Sequence, residues 1–203
     1  MCYTGGISPI RGGGIASVIS NIVNETKHKI NYTLITSFDE RDLNKAQLIY
    51  GSTIRIVSLR SSNNPILNLI TYLLKPPTSG FDIVHFHNLP IGRSLMYALK
   101  LHLNGSSLVF SHHFRREYTR YFPFNHRMGV QYYHIGFKHL SKIWRRIIVN
   151  SKFMLRDLKR YSIRSSKAIV IPNGVCIEKI QKSQPLTLVG DPSFLFVGHL
   201  EWH

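Results

Sequence analysis

Histidines gather at the ends of two apolar runs, where imidazole chemistry would be available to a ligand. His85 and His87 close the run that starts at Asp82, and Ser111-His112-His113 closes the next run. A neutral imidazole can hydrogen-bond a hydroxyl group or act as a general acid or base. Residues i and i+2 of a strand share a face, so His85 and His87 are expected to act together. Sugar contact is favoured, a structural role stays open, and zinc is disfavoured because no third ligand follows at a characteristic spacing.

A glycine run, Gly12-Gly13-Gly14, comes directly before a helical apolar pattern that starts at Ile15. Glycines let backbone amides approach an anion closely, and a helix N-terminus adds partial positive charge. The run therefore suits a diphosphate, although a plain turn is the alternative. A nicotinamide or flavin enzyme is disfavoured, because the third glycine position of the dinucleotide fingerprint is Ser17.

The formal net charge is +16, and it is unevenly distributed. Residues 100 to 167 hold fifteen Lys and Arg against two acids. This asymmetry favours an anionic partner, either a phospholipid surface, a phosphorylated acceptor or nucleic acid, over merely solvated helix faces. Arg115 and Arg116 lie among aromatic residues, a mixture suited to phosphate and to a membrane interface. Nucleic acid is the least favoured partner, because no RRM, KH or zinc-knuckle signature is present.

Short β-rich runs alternate with longer helical patterns, which predicts βαβ units and an α/β fold with a doubly wound parallel sheet. In such a sheet, ligands bind at the carboxyl ends of the strands, where the histidines are expected to lie. The predicted strands are Ile30–Thr36, Thr53–Leu59, Asp82–Phe86, Ser107–Ser111, Arg146–Asn150 and Ala168–Ile171. The predicted helices are Ile15–Glu25, Pro65–Leu74, Gly92–Leu103, Val130–Ser141 and Lys152–Tyr161.

Six short motifs, in order and in approximate spacing, resemble family 4 of the GT-B glycosyltransferases. They are Gly13-Gly14-Ile15, Asp82 to His87, Phe110-Ser111-His112, Ile147 to Ser151, Ile171 to Val175 and Phe194 to Leu200. The resemblance implies the N-terminal half of a GT-B enzyme. Residues 1–178 would form a Rossmann-like acceptor-binding domain with a truncated first strand, and residues 179–193 a linker. Residues 194–203 would begin the donor-binding domain.

The family transfers a sugar from a nucleotide-sugar donor to an acceptor hydroxyl with retention of configuration, generally without a metal or another cofactor. By resemblance, Gly13 and Gly14 would touch the donor diphosphate, and His112 would be the catalytic residue beside the transferred sugar. We expect His85 and His87 to contact the acceptor. Our own addition, outside the family pattern, is that Arg115 and Arg116 bind an anionic acceptor.

The family resemblance implies synthesis of a lipid-linked glycan or a cell-surface polysaccharide, and the basic and aromatic residues between 100 and 167 lead us to expect it at the inner face of a membrane. Two cysteines, Cys2 and Cys176, give no disulfide framework, which fits a reducing cytoplasm. We expect no signal peptide, because no charged or apolar segment follows Met1, and the longest apolar run, near Leu67 to Leu74, is too short to span a bilayer. Peripheral attachment would come from the basic and aromatic residues.

The second half of the family's site is expected to be supplied by a C-terminal domain, in cis or in trans. His199 stands where the family usually has Arg, and the basic pair and paired glutamates that grip the donor are absent. We therefore expect this chain alone to be a fragment without measurable transferase activity. The alternatives are a split enzyme with a separate second half, and a non-catalytic GT-B half that binds a polyanion or a partner chain.

Overall fold

The computed structural model describes eleven parts of the chain, and they include both histidine segments. The described residues are 2–4, 14–36, 44, 47–48, 50–51, 54–58, 80–87, 89–90, 93–113, 135–174 and 177–182. Gly13, Arg115 and Arg116 lie outside them, as do the predicted helix Pro65–Leu74 and the motif Phe194 to Leu200.

Seven parallel strands form one sheet in the order β3-β2-β1-β4-β5-β6-β7. This order confirms the predicted doubly wound parallel sheet. The strands are β1 (Cys2–Thr4), β2 (Thr33–Thr36), β3 (Arg55–Ser58), β4 (Ile83–Phe86), β5 (Ser107–His112), β6 (Arg146–Val149) and β7 (Ala168–Val170).

Helices follow most strands, as the alternation predicted. They are α1 (Gly14–Thr26), α2 (Arg93–Leu103), α3 (Lys152–Leu158) and α4 (Ile177–Lys182), and residues 135–140 are also helical. Short 3-10 turns occupy Lys159–Tyr161 and Ser165–Lys167. None of the helices described is long and apolar enough to cross a membrane.

Local sequence explains where two of these helices begin and which face they bury. In α1, Ala16, Ile19 and Val23 are buried, as a helical period requires. At the start of α3, the Ser151 hydroxyl accepts a hydrogen bond from the Met154 amide at 3.3 Å, which satisfies one of the free amides at the helix N-terminus.

The centre of the sheet includes the short strand β1. Its three residues pair with β2 on one side, and two of them pair with β4 on the other, with Cys2 opposite both Leu34 and His85. At the far end, the first residues of the predicted linker are helical, since α4 ends at Lys182. The division into domain, linker and second domain stays a prediction.

An aromatic core supports strands β4, β5 and β6 from one face. Phe86, Phe110, Phe137 and Trp144 are all fully buried, and the rings of Phe110 and Trp144 stack with centroids 5.4 Å apart. A smaller apolar cluster lies beside α1 and β2. Interiors packed in this way are close to rigid, so the strand ends beyond the aromatic core hold their side chains in defined positions.

Candidate active site at the carboxyl edge of the sheet

The histidine segments lie beside the point where the sheet changes direction. From β1 the chain proceeds to β2 on one side and returns to β4 on the other side. Such a topological switch point opens a crevice at the carboxyl ends of the strands, and ligands of open α/β sheets bind there. His85 belongs to β4, and His87 follows the end of that strand directly. The fold therefore places these two histidines at the carboxyl edge of the sheet, as the sequence predicted.

Four side chains form one connected group at this edge, which we call the histidine cluster: His85, His87, Ser111 and His113. His85 Nε2 is 2.7 Å from Ser111 Oγ, and His87 Nδ1 is 3.3 Å from His113 Nε2. The rings of His85 and His87 are in contact with centroids 4.2 Å apart, and those of His87 and His113 stack at 5.6 Å. Two hydrogen bonds and one ring contact thus join the end of β4 to the end of β5, and a second ring contact joins His85 to His87.

The cluster is electrically neutral near pH 7. Burial, followed by the nearby His113, lowers the pKa of His85 to about 4. Burial also lowers the pKa of His87 well below its ordinary value, with His85 and then His113 adding to the effect. Burial alone lowers the pKa of His113. A neutral imidazole has one donor and one acceptor nitrogen, so the group is suited to hydroxyls rather than to anions.

One nitrogen of the cluster stands out. His87 is 2% exposed, and its Nε2 has no hydrogen-bond partner among the residues that the structure describes. Buried polar atoms are nearly always paired, because burying one without a partner costs free energy. A ligand hydroxyl is one group that would satisfy this nitrogen.

His112, predicted to be the catalytic residue, points away from the cluster. Its ring stacks on Phe137 with centroids 4.8 Å apart and meets Tyr161 edge-on, and the residue is 1% exposed. Consecutive residues of a strand face opposite sides of the sheet, so His112 shares the aromatic core with Phe110. The structure therefore does not bring His112 together with His85 and His87, and its catalytic role stays a prediction.

His113 was named with Ser111 and His112 from the sequence but was given no role, although a signal that separates it from His112 was available. In the parallel register His85 is opposite Val109, so the residues of β5 that share the face of His85 are Val109, Ser111 and then His113. Strand alternation alone separates His112 from His113. Placing His113 beside His87 also required the pairing of β4 with β5, which no local pattern supplies.

The start of α1 lies at the same edge of the sheet, because this helix follows β1 and returns antiparallel to the strands. Gly14 is its first residue, is exposed, and a Cβ added there would meet nothing within 4 Å. The first turn carries no acidic residue, and the partial positive charge of a helix N-terminus favours an anion. Gly14 thus occupies the predicted place, and its contact with a diphosphate stays a prediction.

The described residues contain no group of three or more His, Cys, Asp or Glu that could hold a metal ion. His85, His87 and His113 contact one another through rings and hydrogen bonds.

A parallel α/β sheet with a ligand edge at the switch point defines a Rossmann-like domain. Residues 12–179 match Glycosyltransferase Family 4, and the chain belongs to this family. This match confirms the family resemblance that the six motifs predicted. It also confirms the prediction that the chain corresponds to the N-terminal half of a GT-B glycosyltransferase. No curated protein gives a significant match.

Solved structures with the same fold include HepE from Anabaena in complex with UDP-glucose. That structure has 13% identity and a TM-score of 0.61, and the match covers 87% of this chain and 44% of HepE. A glycosyltransferase from Rickettsia africae has 17% identity and a TM-score of 0.52, with 91% of this chain and 46% of the other covered. The chain thus spans less than half the length of these structures.

Proposed function

We propose that this chain forms the acceptor-side half of a glycosyltransferase that moves a sugar from a nucleotide-sugar to an acceptor hydroxyl. The observation that carries the proposal is the neutral histidine cluster at the switch-point edge of a family 4 domain. Two HepE structures with this fold contain UDP-glucose and UDP. For this chain a nucleotide-sugar donor is part of the proposal.

In this proposal the histidine cluster holds hydroxyl groups. His87 Nε2 hydrogen-bonds a sugar hydroxyl, and His113, rather than His112, is the residue at the end of β5 that touches substrate. His85 positions His87 by ring contact and is itself held by Ser111. Neutral rings suit this task, because protonated imidazoles would attract phosphate in preference to sugar.

The diphosphate of the donor is assigned to the other side of the crevice. Gly13 comes directly before α1 and Gly14 is the first residue of this helix, where backbone amides stabilise negative charge. Positive and polar groups that face a departing diphosphate lower the barrier to transfer, because they stabilise charge that develops in the transition state. The remaining donor contacts are proposed to come from a C-terminal domain, in cis or in trans.

The acceptor is proposed to be lipid-linked or phosphorylated, within lipid-linked glycan or surface polysaccharide synthesis. Helix α3 supports an anionic membrane surface as a partner, at the cytoplasmic face, because Lys152, Phe153, Arg156, Lys159 and Arg160 are all exposed around this helix. Basic residues near anionic lipid each contribute about 1 kcal/mol of attraction, and an aromatic side chain favours the interface. Arg115 and Arg116 would extend this surface.

A second candidate function is a non-catalytic half that binds a polyanion. Between residues 135 and 167 the sequence has ten Lys and Arg and a single acid, Asp157. Nucleic acid or another polyanion would be bound through counterion release, with a steep dependence on salt. If this is the function, the histidine cluster should contribute nothing to the affinity for the polyanion.

Saturation-transfer NMR on the 203-residue chain tests the two functions against each other. The ligands are UDP-glucose, UDP and a methyl glucoside, and the variants are His87→Ala and, as a matched control, His102→Ala on the exposed end of α2. We expect sugar-proton signals that His87→Ala weakens and His102→Ala leaves unchanged. Absence of sugar signals, together with salt-sensitive binding of RNA, would contradict sugar transfer as the function and support polyanion binding instead.

A further inference from the structure

A second cleft opens at the opposite, amino edge of the sheet. It has a volume of about 470 Å³ and lies between residues 138–142 and residues 161–167. The first segment ends a helix just before β6, and the second segment leads into β7. Because all strands are parallel, this cleft and the histidine cluster lie at opposite ends of the strands. Its volume falls in the range of small-molecule sites.

Four cationic side chains line the cleft: Lys138, Lys142, Arg164 and Lys167. Lys167 has a structural task, since its Nζ donates to the carbonyl oxygens of Ser141 at 3.0 Å and of Lys142 at 3.1 Å. These carbonyls follow the C-terminus of a helix, so Lys167 neutralises the partial negative charge there. Helix capping therefore explains why Lys167 lies in the cleft, but it does not explain the presence of the other three cations.

The other three cations are not neutralised by the part of the chain that the structure describes. Among those residues, the side chains of Lys138, Lys142 and Arg164 have no hydrogen-bond or ion-pair partner, and all three residues are exposed. None of the cleft's lining residues is acidic. The acid of this region, Asp157, is 6% exposed and lies 3.3 Å from Arg160, so it does not offset the cleft's charge.

Ser162 lines the cleft as the C-cap of the 3-10 turn Lys159–Tyr161, and its amide donates a hydrogen bond to the Lys159 carbonyl at 3.0 Å. Its φ of 58° lies in the left-handed region, and the other positive-φ residues described are the glycines Gly51, Gly80 and Gly105. Glycine adopts this conformation more cheaply than serine does. Ser162 is exposed and lines the cleft, so the costlier residue presents a hydroxyl among the three cations.

We infer that this cleft binds the phosphate group of a ligand, independently of sugar transfer at the other edge. The Arg164 guanidinium can bind two phosphate oxygens at once, and Lys138 and Lys142 supply point charges around it. The Ser162 hydroxyl donates one further hydrogen bond. Buried Tyr161 and Ile163 form an apolar wall for the rest of the ligand. Either a soluble phosphate ester or a phospholipid head group would present the group recognised.

The experiment measures binding to the 203-residue chain in two arms. The first arm titrates inorganic phosphate and glycerol 3-phosphate by calorimetry at constant ionic strength. The second arm sediments the chain with phosphatidylglycerol vesicles and with phosphatidylcholine vesicles. The test variants are Lys142→Ala/Arg164→Ala and Ser162→Gly. The control is Lys27→Ala/Lys29→Ala, which removes two exposed cations away from the cleft.

We expect saturable phosphate binding that the Lys142→Ala/Arg164→Ala pair weakens by about tenfold or more. The Lys27→Ala/Lys29→Ala pair is expected to change it less than twofold. Ser162→Gly should weaken binding severalfold while the melting temperature stays equal or rises, which a purely structural serine would not do. If the Lys142→Ala/Arg164→Ala pair also abolishes selective sedimentation with phosphatidylglycerol, the phosphate belongs to a lipid; if sedimentation is unaffected, it belongs to a soluble ester. Absence of saturable binding, or equal losses in the two double variants, overturns the inference.

Discussion

His85 Nε2 lies 2.7 Å from Ser111 Oγ, so one side-chain hydrogen bond joins β4 to β5 at the edge where both strands end. Ser111 is 5% exposed, and the bond is largely shielded from water. It fixes the ring of His85, which in turn contacts the ring of His87. The nitrogen proposed to meet a sugar hydroxyl is thus oriented through two neighbours.

Removing the hydrogen bond between His85 and Ser111 should lower the stability of the fold and release the ring of His85 from its position. Ser111→Ala leaves His85 Nε2 buried without its hydroxyl, and an unsatisfied buried polar group costs about 1–3 kcal/mol. We expect the free energy of unfolding in urea to fall by that amount. Ser20→Ala, which removes an exposed side-chain hydrogen bond to Asn24, is the control and should change it by less than about 0.5 kcal/mol. A Ser111→Ala loss no larger than the control would show that the bond contributes nothing.

The histidine cluster should make the fold less stable as the pH falls. Burial lowers the pKa of His85 to about 4 in the folded chain, against an ordinary value of 6.5. Between these two values the unfolded chain binds more protons than the folded chain, so stability is full above pH 6.5 and is lost toward pH 4. Each such histidine contributes a slope on the order of 1 kcal/mol per pH unit.

Urea unfolding at several pH values between 7 and 4 checks this slope. His85→Gln removes the titrating group and should flatten the dependence on pH, whereas His102→Gln, on the exposed surface of α2, should leave it unchanged. An identical slope in both variants would show that His85 does not contribute to the acid sensitivity.

The aromatic core should be the most costly place to remove volume. Phe110 is fully buried between Phe137 and Trp144, with ring centroids 5.2 and 5.4 Å away. Phe110→Ala is expected to lower the free energy of unfolding by about 3–5 kcal/mol, because it opens a cavity under the strand that carries Ser111. Phe153→Ala, at a site that is 45% exposed, should cost less than about 1 kcal/mol in the same measurement. Equal costs at the two sites would contradict the packing described.

Helix α3 should determine whether the chain attaches to anionic membranes. Lys152→Ala/Arg156→Ala removes two exposed cations, each worth about 1 kcal/mol near an anionic surface. We expect sedimentation with phosphatidylserine vesicles to weaken by about 30-fold, and binding of the unmodified chain to fall as salt is added. Lys27→Ala/Lys29→Ala removes the same charge elsewhere and should have a smaller effect. Equal sedimentation with neutral and anionic vesicles would eliminate the membrane proposal.

The sequence by itself determined the parts of this protein that depend on local pattern. Apolar periodicity in α1 and the Ser151 cap of α3 are set within one or two turns of helix, and both were predictable. The alternation of strands and helices predicted the parallel sheet, and short motifs predicted the family. The placement of His85 and His87 on one face follows from the two-residue period of a strand, which requires no tertiary information.

Tertiary structure decided what lies opposite those histidines. The register of β4 against β5 brings Ser111 and His113 to His85 and His87, and it leaves His112 stacked on Phe137 in the core. The amino-edge cleft likewise joins residues 138–142 to residues 161–167. Strand pairing and helix packing bring together residues twenty or more positions apart, and their energies depend on the partner as well as on the segment. A local pattern therefore fixes which face a side chain takes, while the assembled sheet fixes which neighbours it meets there.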